Sequence, residues 1–178
     1  FLEDLFRRVK QIDKNIPCIL GGHITRDVSY ELFFRQSPID FAVVGEAEIT
    51  LPILLNKILE GSDDFTDLKG IIYRSANGEP VKNPPQQRID LREHRVSPSF
   101  EFFDHSTWPV TRLPIPVITG RGCTGKCTFC SPSHRTFIPR LFEDIFAELD
   151  IFLTRFHVPT VSFLNEVFFE NDDMTIEF

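Results

Sequence analysis

Several features are scarce in this sequence of 178 residues, and each scarcity excludes a class of protein. There are 19 basic against 26 acidic residues, a net charge of −7, which argues against unspecific nucleic-acid binding. No apolar run reaches the roughly 18–20 residues that a membrane span needs, so no span is expected. One Trp, two Tyr and a single Met stand against 19 Phe, which indicates a core built from bulky phenylalanines.

The two ends lack the signals that usually open and close a domain. Phe1 already lies within an amphipathic pattern, and the chain stops at Phe178 without a stop signal. We therefore expect this chain to be part of a longer protein, and we expect this part alone to be inactive.

Cysteine is also scarce, and its distribution is uneven. Three of the four cysteines, Cys123, Cys127 and Cys130, fall within eight residues in a CxxxCxxC spacing. A disulfide pattern would leave one of the three odd, and nothing indicates secretion, so we expect a cytoplasmic protein. Thiolates bind soft metals and iron–sulfur clusters, which makes a metal centre the favoured interpretation.

Zinc is the main alternative for these thiols. A structural zinc site usually takes four ligands, often from two separate knuckles, and this sequence has one cluster of three. His134 is the candidate for a fourth ligand. Three ligands also suit a metal centre that keeps one position open for a substrate. The spacing alone leaves both possibilities open.

Helical and strand patterns alternate through the first 61 residues. Apolar residues recur at helical spacing in residues 1–12 and 28–36, and a third helix is predicted between Thr50, its N-cap, and Gly61, its stop. Short apolar runs that end in glycine, "IPCILGG" and "IDFAVVGE", predict the intervening strands. This alternation is typical of a parallel α/β sheet.

The pattern changes after Gly61. "GIIYR" and "EPVKN", joined by "SANG", predict a β-hairpin, and residues 84–114 are irregular and rich in proline. "PIPVITG" predicts an edge strand, because its prolines remove backbone donors. A helix over residues 140–156 and the strand "PTVSFLNE" follow. The predicted buried face of that helix consists of Leu141, Ile145, Leu149 and Leu153.

The residues around the cysteines indicate an active-site loop. They follow a predicted barrel-type strand, at whose carboxyl end such folds carry their active sites. Gly120, Gly122 and Gly125 allow tight folding around a cluster. No acidic residue lies between Gly120 and Arg140, so the positive charge of this region is expected to offset the thiolates. Its basic residues are Arg121, Lys126, Arg135 and Arg140.

Together, "GRGC", the CxxxCxxC spacing and the aromatic Phe129 before the last cysteine resemble the radical S-adenosylmethionine enzymes. The resemblance implies that the three cysteines hold a 4Fe-4S cluster whose open iron binds S-adenosylmethionine. It also implies that Phe129, Asn165 and Glu166 contact that cofactor. Thr124 departs from the family, which often has proline after the first cysteine.

The first part of the chain resembles a cobalamin-binding domain through "IPCILGGHIT" and "IDFAVVGEAEITLPILL". The resemblance implies that Gly21, Gly22, His23, Gly45 and Glu46 line the cobalamin site. His23 is interpreted as a loop residue and not as the cobalt ligand, because the family's axial histidine lies in an earlier Asp-x-His-x-x-Gly motif that is absent here. The remaining cysteine, within the first apolar run, is predicted to be part of the core.

The expected fold is α/β. Residues 1–66 are expected to form the C-terminal part of a flavodoxin-like, doubly wound cobalamin-binding domain. Residues 67–113 are expected to form the hairpin and linker. Residues 114–178 are expected to form the first βα units of a partial (β/α) radical S-adenosylmethionine barrel.

The expected function is that of a cobalamin-dependent radical S-adenosylmethionine enzyme, which cleaves S-adenosylmethionine to a 5′-deoxyadenosyl radical. Methyl transfer to an unactivated carbon is the first expectation. A radical cyclase or rearrangement enzyme, and a non-enzymatic cobalamin- or zinc-binding module, are the alternatives. The expected partners are a small-molecule, lipid or natural-product substrate and an electron donor such as flavodoxin or ferredoxin.

Overall fold

The computed structural model describes residues 2–22, 25, 30–95, 97–99, 114–130, 134–155, 160–168 and 173. The chain divides into two compact units, Phe1–Arg88 and Ile89–Phe178. His23, one of the predicted cobalamin residues, lies outside the described residues. No helix among the described residues is both long and apolar enough to cross a membrane.

The first unit is a four-stranded mixed sheet with helices between its strands. Its elements are α1 (Leu2–Ile12), β1 (Ile19–Leu20), α2 (Tyr30–Gln36), β2 (Phe41–Val43), α3 (Thr50–Leu59), β3 (Ile71–Arg74) and β4 (Pro80–Lys82). The sheet order is β1-β2-β3-β4, with β1 and β2 parallel and the other two pairs antiparallel. The predicted helices, strands and hairpin are confirmed. The hairpin continues the sheet beside β2, so the sheet is mixed and not purely parallel.

Both faces of this sheet are covered, because successive strand residues point to opposite sides. Val43, Ile71 and Tyr73 pack on one face with Leu54 of α3, while Ala42 and its neighbours pack on the other face with α2. The buried residues of that second face are Leu20, Phe34, Ile39, Ala42 and Ile72. The alternation therefore places helices on both sides and leaves the carboxyl ends of β1 and β2 at one edge.

The start of α3 differs from the prediction. Thr50 is the first helical residue, and Ile49 occupies the N-cap position without a side-chain cap from any described residue. The Thr50 hydroxyl donates instead to the Lys69 carbonyl at 3.3 Å, because the side chain is buried beneath that loop. Gly61 ends the helix with φ +70°, as predicted.

The second unit contains the predicted order of strand, cysteine loop, helix and strand. Its elements are β5 (Ile115–Val117), β6 (Gly120–Arg121), β7 (Ile138–Pro139), α4 (Phe142–Thr154) and β8 (Val161–Phe163). β5 and β8 pair in parallel, with Val117 opposite Phe163, and β6 pairs with β7 in an antiparallel ribbon. The α/β class expected from the sequence is thus confirmed in both units.

The buried face of α4 is only partly the predicted one. Ile145 and Phe152 are fully buried against Ile115 and Val117 of β5. Leu153, predicted to be buried, is 60% exposed. The sheet meets the helix along the line through residues 145, 148 and 152, so residue 153 points away.

A charged pair is buried on this same face of α4. Arg140 Nη2 lies 2.6 Å from Glu148 Oε2, and the two side chains are only 4% and 2% exposed. Arg140 also donates through Nη1 to the Ile118 carbonyl at 2.9 Å and through its backbone N–H to the Thr119 carbonyl at 2.8 Å. The arginine therefore joins α4 to the segment that follows β5.

Replacing Glu148 with Ala should lower the free energy of unfolding by about 3–5 kcal/mol, because the buried guanidinium loses its counter-charge. Urea denaturation of the variant beside the wild type measures this loss. The matched control is Asp150→Ala, an exposed acid on the same helix, which should change stability by no more than about 0.5 kcal/mol. Equal losses in the two variants would contradict the importance of the buried pair.

A second ion pair gives this unit a pH-dependent contribution. Arg95 Nε donates to Asp144 Oδ1 at 2.9 Å, and this hydrogen bond holds the pKa of Asp144 below its ordinary value of 3.8. Since the folded-state pKa is the lower one, the pair stabilises the fold above pH 3.8 and loses its contribution as the pH falls through the folded-state pKa.

Asp144→Asn should therefore lower the free energy of unfolding by less than about 1 kcal/mol at neutral pH, since Arg95 is largely exposed. The difference in free energy of unfolding between variant and wild type should shrink as the pH falls below 3.8. Urea titrations at a series of pH values measure both effects. A difference that stays constant down to the acid end would exclude the ion pair as its source.

Candidate functional site

The three cysteines lie in a loop, residues 122–130, which we call the cysteine loop. It begins directly after β6, a few residues beyond the carboxyl end of the parallel strand β5, and the chain returns through β7. The neighbouring parallel strand, β8, ends at Phe163, and Asn165 follows two residues later. The Asn165 amide donates to Thr119 Oγ1 at 3.0 Å and to the Gly120 carbonyl at 3.2 Å, and its oxygen accepts from the Thr119 N–H at 3.2 Å. The parallel register thus brings these two predicted site segments together.

Two of the predicted glycines are required by close backbone approach. Gly122 has φ +92°, and a Cβ built on it would lie 2.1 Å from the Thr136 carbonyl oxygen. A Cβ on Gly120 would lie 2.4 Å from the Phe137 ring. Since neither position has room for a side chain, the start of the loop is pressed against its returning segment.

Gly125 has a different environment, between two of the thiols. A Cβ at this position would lie 3.2 Å from Cys123 Sγ and 3.9 Å from Cys127 Sγ. The Gly125 N–H points at Cys123 Sγ, 3.3 Å away. Hydrogen bonds of this kind stabilise sulfur ligands in their anionic form.

All four cysteines, each within the described ranges, are free thiols. Cys123 is partly buried, while Cys127 and Cys130 are exposed, and a turn links the Cys130 N–H to the Cys127 carbonyl at 3.3 Å. Within the described residues, no three Cys, His, Asp or Glu side chains stand close enough to form a ready metal site. The donor set fits a thiophilic metal or cluster, and binding requires the three sulfur atoms to converge.

The basic residues of this region separate into two groups. Arg135 contacts the cysteine loop directly, donating to the Gly125 carbonyl at 2.7 Å and to the Cys130 carbonyl at 3.3 Å. Arg140, which the sequence analysis counted among the charges that offset the thiolates, is instead buried and paired with Glu148. That part of the prediction was wrong, because the carboxylate already neutralises this guanidinium.

The residues predicted to contact S-adenosylmethionine differ in their surroundings. Phe129 is 92% exposed on the cysteine loop, and Glu166 is exposed just beyond β8. Asn165 uses both ends of its amide to hold the start of the loop. The sequence analysis missed Thr119 as the partner of Asn165; its only sequence signal is its place directly before "GRGC".

The predicted cobalamin residues lie at the carboxyl ends of β1 and β2 in the first unit. Gly22 and Gly45 have φ +86° and +90°, and Cβ atoms at Gly21, Gly22 and Gly45 would meet no described atom within 4 Å. These glycines therefore form an open backbone edge. The Glu46 side chain is 9% exposed, and its Oε1 lies 3.9 Å from Arg88 Nη2, a contact that the sequence did not reveal.

Gly122→Ala tests the close approach at the start of the cysteine loop, and Gly78→Ala is the matched control. Gly78 has a similar φ of +83° but faces open space. Alanine at residue 78 should cost about 1–2 kcal/mol from backbone strain alone. Alanine at residue 122 should cost roughly 1–3 kcal/mol more, because its Cβ overlaps the Thr136 carbonyl. Chemical denaturation gives both values, and equal costs would argue against the close approach.

No protein-family model matches the chain. An uncharacterized methyltransferase of Pyrococcus horikoshii is 30% identical over 176 residues, which is 94% of this chain and 37% of that protein. A putative methylthiotransferase of Methanocaldococcus jannaschii is 30% identical over 125 residues, 68% of this chain and 25% of that protein. The chain thus spans well under half the length of these curated relatives.

Two solved structures match most of the chain. The radical S-adenosylmethionine methyltransferase TsrM from Kitasatospora setae matches with a TM-score of 0.70 at 17% identity, over 92% of this chain and 32% of its own. The apo form of the cobalamin-dependent S-adenosylmethionine radical enzyme OxsB also gives 0.70, at 24% identity, over 93% of this chain and 24% of its own. This chain therefore has the α/β fold of the matched parts of two radical S-adenosylmethionine enzymes.

Proposed function

We propose that this chain carries the cluster-binding loop and part of the cobalamin-binding edge of a cobalamin-dependent radical S-adenosylmethionine methyltransferase. The observation that carries the proposal is the cysteine loop, with three free thiols at the carboxyl end of a parallel strand. In this interpretation the first unit contains the end of a flavodoxin-like domain, and the second contains the first βα units of a (β/α) barrel.

Cys123, Cys127 and Cys130 would hold a 4Fe-4S cluster through their thiolates. When bound and reduced, such a cluster supplies the electron that cleaves S-adenosylmethionine to the 5′-deoxyadenosyl radical. Three cysteine ligands leave one iron of the 4Fe-4S cluster without a protein ligand, which is the position that the cofactor needs. An electron donor such as flavodoxin or ferredoxin is required to reduce the cluster.

The side chains around the loop would bind and orient S-adenosylmethionine. Phe129 presents an exposed ring, whose apolar face would be covered by the cofactor. The exposed carboxylate of Glu166 would attract the cofactor's amino group. Asn165 would act indirectly, by fixing the segment just before the loop through its hydrogen bonds to Thr119 and Gly120.

The open glycine edge of the first unit would approach cobalamin. Gly21, Gly22 and Gly45 have no side chains to keep a ligand away from the backbone. Glu46 follows Gly45 and lies 3.9 Å from Arg88, and His23 directly follows Gly22 in the sequence. Cobalamin would supply the methyl group that is transferred.

The names of similar proteins support methyl transfer. TsrM is described as a methyltransferase, and one of its structures holds cobalamin and a 4Fe-4S cluster. The Pyrococcus horikoshii relative is also named a methyltransferase. The alternative within the same chemistry is radical cyclisation or rearrangement of a small-molecule or lipid substrate. Mass spectrometry of the product separates the two, because only methyl transfer adds a carbon.

Anaerobic reconstitution with iron and sulfide should load about four of each per chain. Cys127→Ala should abolish most of this loading, because it removes one of the three ligands. Cys18→Ala is the matched control, since Cys18 is buried in the first unit and burial raises the pKa of its thiol. This control should load iron as the wild type does.

Metal analysis also covers the zinc alternative. Stoichiometric zinc with no iron uptake under the same conditions would overturn the proposed function. It would favour a non-enzymatic cobalamin- or zinc-binding module, with His134 as the candidate fourth ligand.

A further inference from the structure

We propose that Arg135 is a positioning residue for the cysteine loop, holding the backbone in the arrangement from which three thiolates converge on a thiophilic metal. This role rests on the proposed function, in which those thiols are ligands. Arg135 itself touches neither a substrate nor a sulfur atom in the described contacts.

Two consecutive residues of the returning segment, His134 and Arg135, form hydrogen bonds with the cysteine loop at three points along it. The His134 carbonyl accepts from the Cys123 N–H at 2.9 Å, at the start of the loop. The Arg135 side chain donates to the Gly125 carbonyl, between the first two cysteines, at 2.7 Å. It also donates to the Cys130 carbonyl at 3.3 Å, at the end of the loop. A single guanidinium thus bridges two carbonyls that are five residues apart.

The backbone next to Arg135 is itself held in place by close packing. Gly122 and Gly120 pack directly against Thr136 and Phe137, the two residues that follow Arg135. Ordering a loop backbone costs conformational entropy at every residue that is fixed. Hydrogen bonds from a charged donor are worth more than neutral ones, so the Arg135 bridge offsets part of this cost before a metal arrives.

Arginine is suited to this position by shape as well as by charge. Its planar guanidinium presents several N–H groups in a fixed fork, whereas a lysine ammonium is a compact charge on a flexible stem. Lys126 offers a charge comparison within the same loop, because it is exposed and lies next to Cys127. If positive charge alone matters, neutralising either residue should therefore change metal affinity equally.

The test uses cadmium, which binds thiolates whether or not an iron–sulfur cluster assembles. The reduced metal-free protein is titrated with Cd²⁺, and the thiolate-to-metal absorption gives the affinity. Arg135→Gln should weaken binding by roughly 10-fold to 100-fold, the equivalent of losing one or two charge-assisted hydrogen bonds. The cadmium affinity of Arg135→Lys should be close to that of Arg135→Gln. Lys126→Gln should change the affinity by less than about threefold.

Two results would overturn the positioning role. If Lys126→Gln weakens cadmium binding as much as Arg135→Gln does, the effect is one of charge alone. If Arg135→Lys binds as the wild type does, the bridging fork is not needed. Circular dichroism checks that each variant is folded, and the exposure of Arg135 predicts that all are. If Arg135→Gln is unfolded, Arg135→Lys alone decides the outcome.

Iron loading of the same proteins separates this proposal from the proposed function. Wild-type protein that binds cadmium in an Arg135-dependent way but takes up no iron would keep the positioning role and exclude the cluster. In the opposite result, the wild-type protein loads iron, and Arg135→Gln has unchanged cadmium affinity and loses its iron to a chelator no faster. That result would keep the cluster and exclude the positioning role. The electron paramagnetic resonance signal of the reduced cluster should broaden in Arg135→Gln if the ligand geometry is loosened.

Discussion

Arg140 and Glu148 form an ion pair that is almost fully shielded from solvent, and three elements of the second unit meet at it. The arginine follows β7, the glutamate lies on α4, and the guanidinium also binds the carbonyl of Ile118 after β5. Neither charge is tolerable in this position without the other. The relative placement of strand end, return strand and helix therefore depends on this contact, and the cysteine loop lies in the chain between the strand end and the return strand.

The cysteine loop combines a closely packed backbone at its start with free thiols, an arrangement that suits the proposed metal binding. Its start is pressed onto the returning segment at Gly122 and is bonded to Asn165 through Gly120. Its thiols are free, and the outer two are exposed. The backbone thus carries most of the order, while the convergence of the sulfur atoms remains for the metal to complete. The glycine edge of the first unit follows the same logic, since it supplies backbone shape and no side chains of its own.

Much of this arrangement is predictable from the sequence, because its signals are local. Hydrophobic spacing located the helices and strands of both units, and the spacing of Cys123, Cys127 and Cys130 is the pattern on which the proposed metal site depends. Contacts made by tertiary structure are not predictable in this way. Nothing in the sequence distinguishes the role of Arg135, which bridges the loop, from that of Lys126 within the loop. The buried face of α4 was assigned to Leu153 in place of Phe152, because a periodic pattern does not reveal where the sheet meets the helix.

The exposure of Cys127 and Cys130 has a chemical consequence for the protein before it acquires any metal. Solvent-accessible thiols are the ones that oxidants reach first, and conversion to sulfinic or sulfonic acid is irreversible in most proteins. Under the proposed function, each such event removes a cluster ligand that the loop cannot replace from within its own nine residues. Under the proposed function, the metal-free form is therefore the one most open to oxidation, and filling the loop soon after synthesis, in a reducing environment, would protect the thiols that hold the cluster.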